Sequence, residues 1–250
     1  MKVALLGSAP SSVGMAPFHD PEWQIWACSP GVYGTVGAIG GRTDQYFELH
    51  RWRPPTPGKP GSGDPWFSPE YCQFLRQHPK VWVADPNAVG DIPNAQLLPF
   101  QQLVGKYGPY FFTSSLTWMF AMALEAGATM IGMWGVDMSA TEEYGYQRAG
   151  CQYFVQLAVT HGVQVVVPPE SDLLVPPPLY GVCEIDHQWI KLLARKQELL
   201  NRLNEVTARD TATKGEYHFV MGALDDLNYM MNTWTHNNAQ VPQFQMPKKP

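Results

Sequence analysis

Four short stretches carry the residue types that binding and catalysis need. "GSAPSSVG" (Gly7–Gly14) follows an apolar run directly. Gly7, Ala9 and Pro10 keep the turn small, and its backbone amides with Ser8, Ser11 and Ser12 suit an anion such as a phosphate. Its spacing is neither the G-x-G-x-x-G of dinucleotide binding nor a Walker loop, whose GK[ST] ending is missing. The segment therefore reads equally as a strand-to-helix turn and as a ligand loop. "FFTSSLTWM" (111–119) sets Thr113, Ser114 and Ser115 at a helix start. Singly they are caps; together, with free amides and the helix dipole, they offer a second anion site. "WGVDMSATEEYGYQRAG" (134–150) places Gly135 and Asp137 just past an apolar run, where a carboxylate meets sugar hydroxyls. Tyr144, Tyr146 and Arg148 then share what reads as one loop, and two phenols with a guanidinium suit a pyrophosphate. In "DQYFELHRW" (44–52), His50 leaves a strand at its carboxyl end beside Glu48, Arg51 and Arg53, as a general base or a ligand contact would. His19, His78, His161, His187, His218 and His236 have weaker contexts; His161 reads as a helix C-terminal residue interacting with the dipole.

These residues need a scaffold that brings them together. Lys2–Leu6 is a continuous apolar run ending at a glycine, the pattern of a strand buried on both faces. Similar runs at Trp23–Cys28, Gln45–Leu49, Val81–Ala84, Thr129–Trp134 and Val163–Val167 predict further strands. Helices are predicted at Leu116–Ala126, stopped by Gly127, and at Cys151–Thr160, closed by His161–Gly162. Strand–helix–strand alternation implies an open, mostly parallel α/β sheet with helices on both faces, and such sheets bind ligands at the carboxyl ends of their strands. The Pro- and Gly-rich residues 53–69 predict a long loop able to act as a lid, and "PPESDLLVPPPLYG" (168–181) ends the sheet domain. Apolar stripes then predict a helical hairpin over 182–236, its first helix Glu184–Arg209 carrying Ile185, Trp189, Leu192, Leu193, Leu199, Leu200 and Leu203, its second near Tyr217–Thr233. The last residues, 237–250, read as a disordered tail.

Bulk properties narrow the function classes. With 250 residues, 45% hydrophobic and 16% charged, the chain can bury a large core. A formal net charge of −5 argues against a general nucleic-acid or membrane surface. No apolar run is long enough to span a bilayer and the N-terminus lacks signal-peptide features, so a cytoplasmic protein is expected. The four cysteines, Cys28, Cys72, Cys151 and Cys183, are scattered without a CxxC pair and read as free buried thiols rather than disulfides or metal ligands.

Taken together, "LLGSAPSS" and "TSSLTWMFAMALEAGATMIGMWGVDM" resemble the bacterial sialyltransferases that use CMP-sialic acid and the related 6-hydroxymethylpterin pyrophosphokinase-like proteins. Those carry a G-x-G/A-P-S turn after the first strand, a T-S-G-like helix start and an apolar strand ending in G-[IV]-D. The likeness covers roughly residues 1–175 in organisation and about 45 of them by motif. A nearer likeness is to uncharacterised bacteriophage-encoded proteins with "FELH", "YGYQRAGCQYF" and "PPESDLL"-like segments in this order. For the sialyltransferases the resemblance implies a Rossmann-like fold whose first turn and T-S-S helix start hold the nucleotide of the donor, with tyrosines after G-[IV]-D on its phosphate. Position by position that nominates Gly7, Ala9, Pro10, Ser11, Thr113, Ser114, Ser115, Gly135, Asp137, Tyr144 and Tyr146. Two departures stand out. The interval "QRAG" lacks the histidine that serves those enzymes as base, and Ser115 replaces the glycine of T-S-G. Neither the acceptor region nor sialic acid is therefore carried over.

Three readings follow. The first is a metal-independent, nucleotide-sugar-dependent glycosyltransferase with no cofactor, in keeping with the absence of a DxD motif. His50 or Asp137 deprotonates the acceptor hydroxyl, which a phage setting would make a modified nucleotide or DNA base in the host cytoplasm. The second is a pterin or nucleotide pyrophosphokinase-like phosphotransferase holding Mg²⁺ on Asp137, Glu142 and Glu143. The third is a non-catalytic nucleotide-binding protein, its C-terminal hairpin a surface for homo-oligomerisation.

Overall fold

The computed structural model of the chain describes residues 1–56, 58–59, 62–138, 142–176, 181, 187–208 and 214–233. The chain divides into two compact units, Met1–Leu174 and Val175–Pro250.

The first unit is built on a seven-stranded sheet in the order β5-β4-β3-β2-β1-β6-β7. The strands are β1 Lys2–Leu6, β2 Trp23–Cys28, β3 Gln45–Glu48, β4 Val81–Val83, β5 Ala95–Leu97, β6 Met130–Trp134 and β7 Gln164–Val166. Every neighbouring pair is parallel. The helices are α1 Ser29–Ala38, α2 Pro69–Gln77, α3 Pro86–Asp91, α4 Phe100–Tyr107, α5 Ser115–Glu125 and α6 Glu142–Thr160. This is the expected Rossmann-like α/β architecture. Val3, Ala4, Leu5 and Leu6 of β1, an interior strand, are wholly buried, and burial on both faces produces the continuous apolar run.

Several elements differ from the sequence-based expectation for identifiable reasons. Leu49, Ala84, Thr129, Val163 and Val167 fall just outside their strands. β5 went unpredicted because it is an edge strand with Gln96 and Leu97 exposed, so it has no two-faced apolar signature. α1, "SPGVYGTVGA", carries three glycines and no side-chain cap. It forms because Val32 and Val36, one turn apart, bury against the sheet. α6 begins at Glu142, nine residues before the predicted start, running through Gly145 and Gly150, which in sequence look like breakers. By contrast α5 is locally encoded: Ser114 and Thr117 form a reciprocal capping box and Gly127 takes φ 73° after its last turn.

The two edges of the sheet are finished differently. At the amino edge Arg42 donates to the carbonyls of Phe18 (2.8 Å), Asp20 (3.0 Å) and Trp23 (2.8 Å) and pairs with Asp44, which accepts from the Ile25 amide at 2.7 Å. At the carboxyl edge, β1 and β6 lie side by side although the chain leaves them in opposite directions across the sheet, so a crevice opens between the segments that follow them. Their first residues touch. A β-carbon on Gly7 would overlap the Gly135 carbonyl, and one on Gly135, whose φ is 69°, would overlap the Gly7 carbonyl.

The second unit contains α7 His187–Ala208 and α8 Lys214–Thr233, a helical pair as expected. Leu192, Leu199, Val220, Leu224, Leu227, Met230 and Met231 form its core, with Trp189, Leu200 and Leu203 packed on it. Leu193, assigned by its spacing to the apolar stripe, instead faces outward with Ile190. Ile185 and the tail 237–250 lie outside the described residues.

The glycine contact yields a stability contrast. Gly7→Ala forces backbone against backbone and should cost about 3 kcal/mol in urea denaturation. Gly14→Ala meets open space and should stay within about 0.5 kcal/mol of the parent. Equal effects at the two positions would show that the crossing does not constrain the fold.

Candidate functional site

The segment after β1 is anchored by backbone and hydroxyl hydrogen bonds to the segment after β6. Gly7 N–H donates to the Trp134 carbonyl (2.8 Å) and Ala9 N–H to that of Gly135 (2.9 Å). The buried Ser12 hydroxyl accepts from the Gly135 amide at 2.9 Å. Ser8, Pro10 and Ser11 remain exposed. No described residue accepts from the amides of Ser8, Ser11 or Ser12, so one short turn carries three N–H donors without a described acceptor. A β-carbon at Gly31, in the first turn of α1, would stand 3.8 Å from Ser8 Oγ, so the uncapped start of that helix adjoins the same turn. Across the crevice, half-buried Asp137 accepts from Ser11 Oγ at 2.7 Å. The two non-glycine residues with left-handed backbone among those described, Ser29 (φ 66°) and Met138 (φ 52°), also sit on this edge, after β2 and β6. Such conformations persist where the surroundings hold them: Tyr46 Oη donates to the Ser29 carbonyl at 2.6 Å.

A third wall comes from the "PPESDLL" segment, which sequence reasoning treated as a domain end. Ser171 Oγ donates to the Val136 carbonyl at 2.5 Å, Gln152 Nε2 donates to the Leu173 carbonyl at 2.7 Å, and Leu173 is wholly buried. This segment therefore braces the residues that follow β6.

The remaining nominated residues are distributed differently from the expectation. Ser114 caps α5, accepting from the Thr117 amide. Thr113 Oγ1 donates to the Tyr146 carbonyl at 3.0 Å, and Gly150 packs against Phe111 and Thr113, which ties α6 to the start of α5. Two of the three hydroxyls are thus engaged in structure; Ser115 opens the first turn of α5 half-buried. Tyr144, Tyr146 and Arg148 lie on α6 and not on a loop, because the helix starts at Glu142. Tyr146 is largely exposed, while half-buried Arg148 feels Asp172 of the "PPESDLL" segment, and burial lowers its pKa. The side chains of Tyr144, Glu142 and Glu143 lie outside the described residues. Among the described residues no cluster of three metal-ligating side chains occurs, and no helix is long and apolar enough to cross a membrane. Cys28, Cys72 and Cys151 are free and buried; burial pushes the thiols of Cys28 and Cys151 up to about 12.

His50 stands where its position predicted, past the carboxyl end of β3, and the structure supplies partners that the sequence hid. Glu48, the last residue of β3, is 1% exposed. Its Oε1 lies 2.5 Å from His50 Nδ1 and accepts from the His50 amide at 2.9 Å; its Oε2 accepts from the buried Tyr71 hydroxyl at 2.5 Å. One carboxylate thus fixes both the ring and the backbone of His50. The imidazole is 45% exposed, and no described residue pairs with its Nε2. The hydrogen bond to the Glu48 carboxylate raises the His50 pKa above its ordinary value. Burial holds the Tyr71 phenol well above its ordinary value, so it remains a donor to Glu48. Tyr71 is reached only through the fold: it comes from α2, where Ser68 caps the helix by accepting from the Tyr71 amide at 3.1 Å. β3 is two strands from β1, about 10 Å at ordinary strand spacing, so dyad and turn share one edge.

No family model and no curated protein matches the sequence. Solved structures similar in fold include the sialyltransferase CstII from Campylobacter jejuni, in complex with cytidine-5'-monophosphate. It is 15% identical over 66% of this chain and 78% of that chain, with a TM-score of 0.44. An α-2,3-sialyltransferase from the same organism, in apo form, is 15% identical over 66% of this chain and 74% of that one, at 0.40. A thiamine pyrophosphokinase from Bacillus subtilis is 10% identical over 67% and 60%, at 0.39.

The dyad sets a pH signature. Because Glu48 raises the folded-state value, the pairing stabilises the protein fully below the unfolded histidine value of about 6.5 and is lost as pH rises through the folded one. In an NMR titration His50 should titrate above 6.5. Glu48→Gln should move the midpoint down. Tyr71→Phe should move it up, since the carboxylate loses a competing donor. Shifts of the same sign in both variants would break the assignment.

Proposed function

We propose that the chain is a nucleotide-sugar-dependent glycosyltransferase that works without a metal cofactor, with His50 as its general base. The observation that carries the reading is the His50–Glu48 dyad. A buried carboxylate fixes Nδ1 while Nε2 projects, unpaired by any described residue, at the carboxyl edge of a parallel sheet. That is the arrangement that removes a proton from a bound hydroxyl, because Glu48 stabilises the imidazolium formed as the proton arrives.

The rest of the edge suits the other half of the reaction. The acceptor oxygen, as its proton passes to Nε2, forms a bond to the anomeric carbon, and the bond from that carbon to the donor phosphate breaks. The electron pair leaves with the phosphate. Negative charge then grows on phosphate oxygens, and the Ser8, Ser11 and Ser12 amides with the uncapped first turn of α1 supply fixed donors for it. Asp137, which accepts from Ser11, would take ribose hydroxyls rather than serve as a second base; the Ser11 contact supports this reading. The donor would span from the turn after β1 toward β3.

The test joins binding to turnover. CMP or UDP should raise the melting temperature without metal, by an amount that grows with ligand concentration. His50→Gln should keep that stabilisation while losing roughly 100- to 10,000-fold in transfer from the stabilising nucleotide-sugar. Unchanged turnover in His50→Gln would remove the base. Stabilisation by ATP that appears only with Mg²⁺ would point to phosphoryl transfer instead.

A further inference from the structure

One aromatic ring beside the dyad has no part in the core. Trp66 is 47% exposed, and its ring centroid lies 5.9 Å from that of His50 at an interplanar angle of 43°. The imidazole therefore does not cover the indole face. Its neighbour in sequence, Phe67, is 2% exposed and sits between Trp52 (4.9 Å, edge-on) and Tyr71 (6.2 Å, stacked). Trp52 is held in turn by two carboxylates, its amide donating to Asp85 at 2.9 Å and its indole N–H to Asp91 at 3.0 Å. Within the loop the Asp64 amide donates to the Arg53 carbonyl at 3.0 Å. The foot of the Pro- and Gly-rich loop is thus fastened to Tyr71, the residue that clamps Glu48. An exposed indole is thereby presented beside the His50 ring.

We infer that Trp66 is the platform of an acceptor subsite for a pyranose sugar, whose apolar C–H face lies on the indole while an equatorial hydroxyl at the ring edge meets His50 Nε2. The class of ligand follows from the geometry. A pyranose has a C–H face to cover an indole, and its equatorial hydroxyls radiate within the ring plane. An unmodified nucleobase would stack equally well but would bring only ring nitrogens, carbonyl oxygens and amino groups toward the base, with no hydroxyl to deprotonate. The inference rests on the glycosyltransferase reading for the fate of that hydroxyl. Saccharide binding itself does not depend on it.

The experiment uses the full chain with ¹⁵N-labelled tryptophan, the Trp66 indole N–H signal being assigned by its loss in Trp66→Phe. Methyl β-pyranosides of glucose, galactose, N-acetylglucosamine and N-acetylgalactosamine, and lactose, are titrated without donor. At least one should shift the Trp66 signal, and by saturation-transfer NMR its binding should survive in Trp66→Phe and weaken about tenfold or more in Trp66→Ala. The melting temperatures serve as the folding control. A Trp66 signal unmoved by all five sugars, or moved instead by cytidine, thymidine or adenosine, overturns the inference. Binding that is equal in Trp66→Ala overturns it as well. In transfer assays Trp66→Ala should raise the acceptor KM more than it lowers kcat. Trp66-dependent sugar binding without transfer from any nucleotide-sugar would leave the subsite standing and remove the transferase reading. Transfer with an unchanged acceptor KM would do the reverse.

Discussion

The site depends on a contact between two stretches of backbone that have no room for side chains. Where β1 and β6 end, the Gly7 and Gly135 backbones press together, and their neighbours exchange hydrogen bonds through Trp134, Ala9 and Ser12. These strands are adjacent in the sheet but distant in the chain, and the connections after them depart to opposite sides. If the two glycines carried side chains, the strands would have to separate or shift. As glycines they let the two backbones meet, while the Ser8, Ser11 and Ser12 amides have no acceptor among the described residues. The donor turn follows from close packing behind it.

The dyad obeys the same logic in electrostatic terms. A carboxylate as deeply buried as Glu48 is tolerated when its oxygens are occupied, and Tyr71, the His50 ring and the His50 amide occupy them. The low-dielectric surroundings strengthen each of these bonds, so the imidazole is held in one orientation while its far nitrogen meets solvent. Tyr71 belongs to two structures at once: its hydroxyl completes the dyad and its ring carries Phe67, the foot of the loop that displays Trp66. The chemistry at β3 and the loop beside it are thereby one mechanical unit.

The elements most legible in the sequence are those whose signal is local. The continuous apolar run of β1, the capping box of α5 and the glycine after it are written in consecutive residues. His50 was legible for a related reason: it follows a strand, and the residue after a parallel strand lies at the binding edge. Glu48 sat in plain view two residues earlier, yet as the end of a short strand it carried no sign that its carboxylate would be enclosed. Trp66 comes from residues 53–69, whose prolines and glycines spoke only of a loop, and Tyr71 from α2 just after it, where no element was predicted. Tyr146 and Arg148 misled in the opposite sense, because Gly145 and Gly150 suggest a break where α6 continues under the packing of its neighbours.

From sequence alone, the class of fold was determined, along with the positions of the turn after β1, the hydroxyls before α5 and the histidine after β3. Hydrophobic patterning and capping are short-range codes that act over a few residues. Which groups meet there was decided by the tertiary structure alone. Glu48 is closed over by a tyrosine from α2, Ser11 finds Asp137 past the end of the neighbouring strand, and the "PPESDLL" segment folds back to brace the residues after β6. Hydrogen bonds between residues far apart in the chain exist only after the sheet has set their distances, and burial, which gives those bonds their strength, is a property of the assembled core.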